Sequence, residues 1–123
     1  MQGTCAICGA YGYVEKHHTI YRSQAVYMRT IKVNLINLCK EHHTGDTGAH
    51  MCKKTDLKLK KGLQLKLELM FIKKQYYSKD EIEEILDCSD FDAVLICKRL
   101  CMHVEGYRKD DLVRRMLGGR LYV

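Results

Sequence analysis

The 123-residue sequence contains no proline, no tryptophan and only 2 phenylalanines. A short chain with so few large aromatic side chains builds a thin hydrophobic core, and small domains of this kind often add a bound metal ion. No run approaches the roughly eighteen apolar residues that cross a bilayer, so no membrane-spanning segment is expected. Residues 1–12 have neither a basic start nor an apolar stretch, which argues against a signal peptide. These absences predict a cytoplasmic protein that does not bind membranes.

Cysteine and histidine are abundant by contrast, and they are clustered. The chain has 7 cysteines and 6 histidines. All the histidines except His103 lie between His17 and His50, close to a C-x-x-C pair formed by Cys5 and Cys8. Because disulfides are rare inside cells, this co-clustering indicates metal binding rather than a disulfide framework.

The chain is also basic, with 21 lysines and arginines against 15 acidic residues and a net charge of +6. Much of the excess lies in residues 53–74 and 108–120. A positive balance is compatible with a polyanionic partner such as nucleic acid. The alternative is a solvated lysine face, which composition alone does not distinguish from a binding surface.

The pattern of apolar residues predicts an α+β fold in two parts. Short strands are expected at residues 11–20 and 33–38, with a helix beginning at 40–43. Leucines in residues 54–75 alternate as in a strand, but the length of the segment favours a helix. Three further helices are predicted at 78–87, 91–102 and 109–117, the first opened by a Ser78–Glu81 capping box and the last closed by two glycines. We therefore divide the chain into a metal-containing module, 1–75, and a three-helix appendage, 76–123.

Four residues have the spacing of a closed structural zinc site. Cys5 and Cys8 form one x-x pair, and Cys39 and His42 repeat that spacing with one thiolate replaced by an imidazole. Three thiolates and one imidazole are ligands that zinc prefers. The neighbouring His43 is an alternative fourth ligand.

The combined pattern resembles the HNH (ββα-metal) endonuclease family in its small, zinc-knotted phage and prophage form. The resemblance covers roughly the first 70–75 residues. It is carried by CAIC at 5–8, EKHHTI at 15–20, NLINLCKEHHTG at 34–45, GAH at 48–50 and DLKLKKGLQ at 56–64.

The resemblance implies a ββα-metal module stapled by a Cys3His zinc site, and an enzyme that hydrolyses DNA phosphodiester bonds in a bacterial host cell. It implies that His18 is the general base and that Asn34 orients it, with Asn37 as the rival for that role. It further implies three ligands for a catalytic divalent ion, Mg, Mn, Ni or Zn: His17, His43 and His50.

General chemistry is compatible with these roles. A neutral imidazole can deprotonate water near pH 7, and a divalent ion can stabilise negative charge on the phosphate. An imidazole shell favours Mn, Ni, Co or Zn over Mg. One difficulty is geometric: successive strand residues face opposite sides of a sheet, so His17 and His18 share a site only if the strand bends or ends there.

Four basic residues are candidates for DNA contacts: Arg22, Arg29, Lys53 and Lys54. The loop containing the two arginines lacks the Gly-Gly and Pro residues frequent in the family. For the C-terminal helices we favour packing or protein contact, with a homodimer or a phage protein as partner, over a helix-turn-helix that selects DNA targets. The alternative function for the whole chain is a non-catalytic, zinc-stabilised module that binds DNA or protein.

Overall fold

The computed structural model describes residues 1–123 and combines short strands with five α-helices in an α+β arrangement. The strands are β1 (Gln2–Thr4), β2 (Tyr11–Tyr13), β3 (Glu15–His18), β4 (Leu35–Leu38), β5 (Tyr76–Tyr77), β6 (Met102–His103) and β7 (Gly106–Arg108). The helices are α1 (Lys40–Thr44), α2 (Lys53–Met70), α3 (Lys79–Leu86), α4 (Asp90–Cys97) and α5 (Lys109–Met116). None of them has the length and apolar character needed to cross a bilayer.

The predicted strand at residues 11–20 is divided between two sheets. Its first part, β2, pairs antiparallel with β1, and its second part, β3, pairs antiparallel with β4. The change of partner occurs at Val14, whose side chain is buried and whose N–H donates to the carbonyl of Met1. The prediction of one continuous strand was therefore wrong, because β2 and β3 pair with different strands and the buried Val14 separates them.

The segment between β3 and β4, residues 19–34, is here called the connecting segment. It contains no strand or α-helix, only two 3-10 turns at Val26–Met28 and Lys32–Asn34. Three of its apolar side chains, Ile20, Met28 and Ile31, are nevertheless fully buried. The segment is therefore fixed by packing rather than by regular hydrogen bonding.

The ambiguous leucine-rich stretch is helical, as its length predicted. Leu63 and Leu67 are buried, whereas Leu65 and Leu69 are exposed, which is the four-residue spacing of one helical face. The helix stops before residue 75 because the fully buried Phe71 takes the C-terminal position.

The C-terminal helices largely follow the prediction. The capping box is present at α3, where Ser78 Oγ accepts from the N–H of Glu81 and the Glu81 carboxylate accepts from the N–H of Ser78. Gly118 and Gly119 adopt positive φ angles of 81° and 97° after α5. A helix extending to residue 102 was wrong, because residues 102–103 form β6 and pair with β7.

A single cluster of 17 buried residues forms the main core. It joins side chains of the connecting segment and α2 with side chains of α3, α4 and α5, and so crosses the proposed boundary at residue 75. A smaller cluster consists of Cys5, Leu38 and Ala49. The division into two parts remains a prediction about folding units.

The shared core predicts that a cavity in α4 destabilises the connecting segment. Ile96→Ala removes a fully buried side chain and should lower the free energy of unfolding by about 2–5 kcal/mol. Val94→Ala, on the same helix and 44% exposed, should change it by less than about 0.5 kcal/mol. Urea unfolding measures both values, and amide exchange in residues 19–34 should accelerate in Ile96→Ala alone. Unchanged exchange there would indicate separately folding units.

Candidate metal centres

Three cysteines and one histidine converge at the amino-terminal end of the molecule, and this group is here called the thiolate cluster: Cys5, Cys8, Cys39 and His42. The two leading cysteines lie on the turn between β1 and β2, and the other two residues lie at the start of α1. Their ligand atoms are within 4.8 Å of one another.

The separations inside the thiolate cluster are those of ligands around one ion. Cys39 Sγ lies 3.2 Å from His42 Nδ1 and 4.0 Å from Cys8 Sγ, and Cys5 Sγ lies 3.8 Å from His42 Nδ1. Tetrahedral ligands bonded at about 2.0–2.3 Å are roughly 3.3–3.8 Å apart. The cluster could therefore hold a structural metal ion.

The backbone around Cys5 favours its thiolate form. Burial disfavours the charge, but hydrogen bonds from the backbone N–H groups of Cys39, Cys8 and Ile7 outweigh burial and lower the pKa of the Cys5 thiol to about 6. Since the thiolate is the form that binds metal, this turn is prepared for an ion at neutral pH.

Three imidazoles form a second group, the histidine cluster, made of His17, His43 and His50. His17 comes from β3, His43 from α1, and His50 from the turn that precedes α2. The ring of His17 lies 5.2 Å from that of His43 and 5.1 Å from that of His50, between centroids. The Nε2 atoms of His43 and His50 are 3.0 Å apart.

Glu15 orients one imidazole of this cluster. Its Oε1 lies 3.0 Å from His43 Nδ1, and because a carboxylate only accepts, Nδ1 carries the hydrogen. The same hydrogen bond lowers the pKa of the Glu15 carboxyl. The lone pair of His43 is then on Nε2, the atom that faces His50. This carboxylate–imidazole pairing is common behind metal-binding histidines.

His17 provides a test of whether a metal ion fits the histidine cluster. The side chain is buried, and its Nε2 has no hydrogen-bond partner. Burial, together with the neighbouring His50 and His43, lowers the pKa of His17 to about 4, so the ring is neutral at pH 7. A buried nitrogen without a partner costs about 1–3 kcal/mol, and an ion held by the three imidazoles would remove that penalty.

His17 is buried and His18 is half-buried, and both histidines line one open pocket of about 510 Å³. The strand ends at His18, so the chain that follows turns around the pocket and the geometric difficulty does not arise. His18 Nε2 lies 3.1 Å from the backbone carbonyl of Arg29. Because a carbonyl only accepts, Nε2 carries the hydrogen and the lone pair is on Nδ1.

Asn34 is fully buried and does not touch His18. Its Oδ1 accepts from the N–H of Ile20 at 2.7 Å, and its Nδ2 donates to the carbonyls of Ile20 and Met28, both at 3.1 Å. Asn34 thus ties together the beginning, middle and end of the connecting segment. Its rival Asn37 does not line the pocket.

The basic residues predicted to contact DNA have different locations. Arg22 lines the pocket, whereas the side chain of Arg29 does not. Lys53 and Lys54 are exposed at the first turn of α2, outside the pocket. Lys16, which the sequence prediction did not select, adds a second cationic side chain to the pocket wall.

Two other contacts were missed by the sequence prediction. Glu15 carried a usable signal, because it lies two residues before His17 and so on the same face of β3. Tyr21 carried none: its ring stacks on His50 at 5.7 Å, while its Oη donates to Asp56 at 2.7 Å. Burial, with Asp56, raises the pKa of Tyr21, so the phenol remains a donor.

A buried ion pair packs against Tyr21, the residue that stacks on His50 of the histidine cluster. Lys60 is 5% exposed, and its Nζ lies 2.8 Å from Asp56 and 4.1 Å from the centre of the Tyr21 ring. This network fixes the ring that stacks on His50.

A third group of potential ligands, Asp80, Glu83 and Asp90, surrounds the ammonium group of Lys79. The lysine supplies the positive charge that such carboxylates would otherwise take from an ion, so the group is explained as an ion-pair network.

No family model, no curated protein and no solved structure matches this chain. The interpretation of both clusters therefore depends on the geometry of the chain's own residues.

Loss of a thiolate should remove the capacity of the thiolate cluster to bind an ion. Cys39→Ser should reduce bound metal by about one ion per chain and destabilise the protein strongly, since sites of this ligand type contribute on the order of 10 kcal/mol. Cys101→Ser, at an exposed cysteine outside both clusters, should keep the wild-type metal content. Elemental analysis and thermal unfolding measure both. Equal metal content in the two variants would contradict the assignment.

Removal of the carboxylate behind His43 should weaken the histidine cluster. Glu15→Gln should lower its affinity for Ni²⁺ or Co²⁺ by about 10–100-fold, because the neutral amide can donate as well as accept and no longer fixes the tautomer of His43. The control is Glu84→Gln on the exposed face of α3. Calorimetric titration should be carried out after the thiolate cluster is loaded, and unchanged affinity would exclude an orienting role.

Proposed function

We propose that this protein is a metal-dependent endonuclease of the HNH type, which hydrolyses DNA phosphodiester bonds. The observation that carries the proposal is a single open pocket lined by both His18, whose Nδ1 is free to accept a proton, and the three imidazoles of the histidine cluster. A binding module would have no need of a free base beside metal ligands.

The order of elements around the pocket supports the proposal. The antiparallel pair β3–β4 is followed directly by α1, which is the strand–strand–helix order expected of a ββα-metal module. His17 comes from the first strand and His43 from the helix, so that the ligands converge where these elements meet.

The thiolate cluster suits zinc in a structural role. Three cysteines and one histidine form a closed set of four ligands, which leaves no position for a substrate. Zinc there would tie the β1–β2 turn to α1 and, through α1, hold His43. The site's function is therefore to support the pocket rather than to take part in chemistry.

The histidine cluster suits a catalytic ion. Three imidazoles favour Mn, Ni, Co or Zn over Mg, and three protein ligands leave positions open for substrate. A divalent ion bound there would stabilise negative charge on the phosphate and on the leaving oxygen.

The surrounding side chains provide the remaining parts of a hydrolytic site. His18 Nδ1 would take a proton from the attacking water, with the Arg29 carbonyl stabilising the imidazolium that forms. Lys16 and Arg22 would bind non-bridging oxygens of the phosphate. Lys53 and Lys54 would contact phosphates beyond the pocket and hold DNA without reading its sequence.

Plasmid nicking by the purified protein, with Mg, Mn, Ni or no added metal, tests the proposal. Wild type should relax supercoiled plasmid, and His18→Ala should slow relaxation by about 10²–10⁴-fold because the general base is lost. His103→Ala is the matched control, since His103 is exposed on the β6–β7 hairpin and should leave the rate unchanged. Cys5→Ser reports the effect of losing the structural ion.

Measurement of DNA affinity separates the alternative functions. DNA affinity of His18→Ala should equal that of wild type, and should fall steeply with salt. Absence of cleavage by wild type with every metal, while DNA is still bound, would favour a non-catalytic binding module. Absence of salt-dependent DNA binding would favour a protein-interaction module.

A further inference from the structure

The connecting segment lies between the pocket and the C-terminal helices. On one side it supplies the carbonyl of Arg29 to His18. On the other side its buried residues Ile20, Met28 and Ile31 belong to the same core cluster as residues of α3, α4 and α5. The C-terminal helices therefore form the surface on which this irregular segment is held.

Tyr27 and Arg115 form one polar connection between the connecting segment and the C-terminal helices. Tyr27 Oη donates to the carbonyl of Arg115 at 2.6 Å, and the Arg115 guanidinium stacks 3.5 Å from the centre of the Tyr27 ring. The guanidinium also donates to the carbonyls of Leu95 and Ile96 at the end of α4, both at 2.9 Å. Arg115 thus joins α4, α5 and the connecting segment, and it is not available for DNA.

A second connection lies just beyond Arg29. Thr30 Oγ1 donates to Asp92 Oδ2 at 2.8 Å, from the first turn of α4. Lys32 and Asp87 add an exposed ion pair at 2.5 Å. These contacts come from the C-terminal helices and fix the chain on the far side of Arg29.

The backbone of Arg29 is therefore fixed by contacts of its own and of both neighbouring residues. The N–H of Arg29 donates to the carbonyl of Val26. The preceding residue, Met28, is buried, and its carbonyl accepts from Asn34. The following residue, Thr30, donates to Asp92. The peptide group that follows Arg29 has little freedom to rotate, so its carbonyl keeps one direction, toward His18.

We propose that α4 and α5 position the candidate base, with Tyr27–Arg115 and Thr30–Asp92 as the contacts that fix the Arg29 carbonyl and, through it, the tautomer of His18. Arg115 and Asp92 are positioning residues in this scheme, since neither touches the pocket. The proposal rests on the proposed function only for its catalytic consequence. The hydrogen-bond geometry that it describes can be measured without any nuclease assay.

The experiment uses the full chain, loaded with zinc and labelled with ¹⁵N at histidine, at one fixed alkaline pH. Long-range ¹H–¹⁵N spectra resolve the two ring nitrogens of His18, which are assigned by comparison with His18→Ala. Wild type is compared with Tyr27→Phe, Thr30→Val and the double variant. Asp90→Asn is the matched control, because it breaks the Lys79 ion pair on the same turn of α4 that carries Asp92.

In wild type the resonances should be widely separated, since Nε2 carries the hydrogen and Nδ1 does not. In the double variant they should move toward each other as the second tautomer becomes populated, and in Asp90→Asn they should remain as in wild type. In the double variant the turnover number for nicking should fall by about 10–100-fold with unchanged KM, as expected for a misplaced base.

Unchanged ring resonances in the folded double variant, or an equal change in Asp90→Asn, would overturn the proposal. If the double variant does not fold, Thr30→Val decides by the same criterion, because it alters one exposed hydroxyl. If wild type does not nick DNA but the ring resonances respond, the proposed function fails while the positioning by α4 and α5 stands.

Discussion

Two adjacent imidazoles on one short helix are the constraint on which the thiolate cluster and the histidine cluster both depend. His42 and His43 are neighbours on α1, and the helical rotation between successive residues directs the first toward the thiolate cluster and the second toward the histidine cluster. A helix of five residues is not stable by itself in water. An ion in the thiolate cluster would therefore hold the helix, and the helix in turn holds a ligand of the other cluster.

What the sequence could predict was local. The x-x spacing of Cys5 and Cys8 and of Cys39 and His42 survives in any fold that makes a tight turn and a helix start, and the capping box of α3 is a contact between near neighbours. What it could not predict depends on distant partners. Val14 ends a strand because of its burial, and α4 stops early because residues beyond it pair with β7. Nuclease activity, the catalytic ion and DNA binding remain proposals.

The hydrogen bond that holds His18 could not be predicted from the sequence, for a different reason. Its partner is a backbone carbonyl, and every residue type has one, so no residue identity marks it. Asn34 was recognisable, but its mode of action was not: its amide is used entirely on the backbone of the connecting segment. The role of an irregular segment is thus set by packing against helices more than sixty residues away in the chain.

The hydrogen bond from His18 to Arg29 uses the backbone of residue 29 and does not depend on its side chain. Arg29 binds His18 through its backbone carbonyl, while the residue is exposed and its side chain does not line the pocket. Because its N–H is bound to Val26, proline is disfavoured there, but other side chains leave the carbonyl in place. Residue 29 can therefore differ in charge and size without loss of the hydrogen bond that His18 Nε2 donates to its carbonyl.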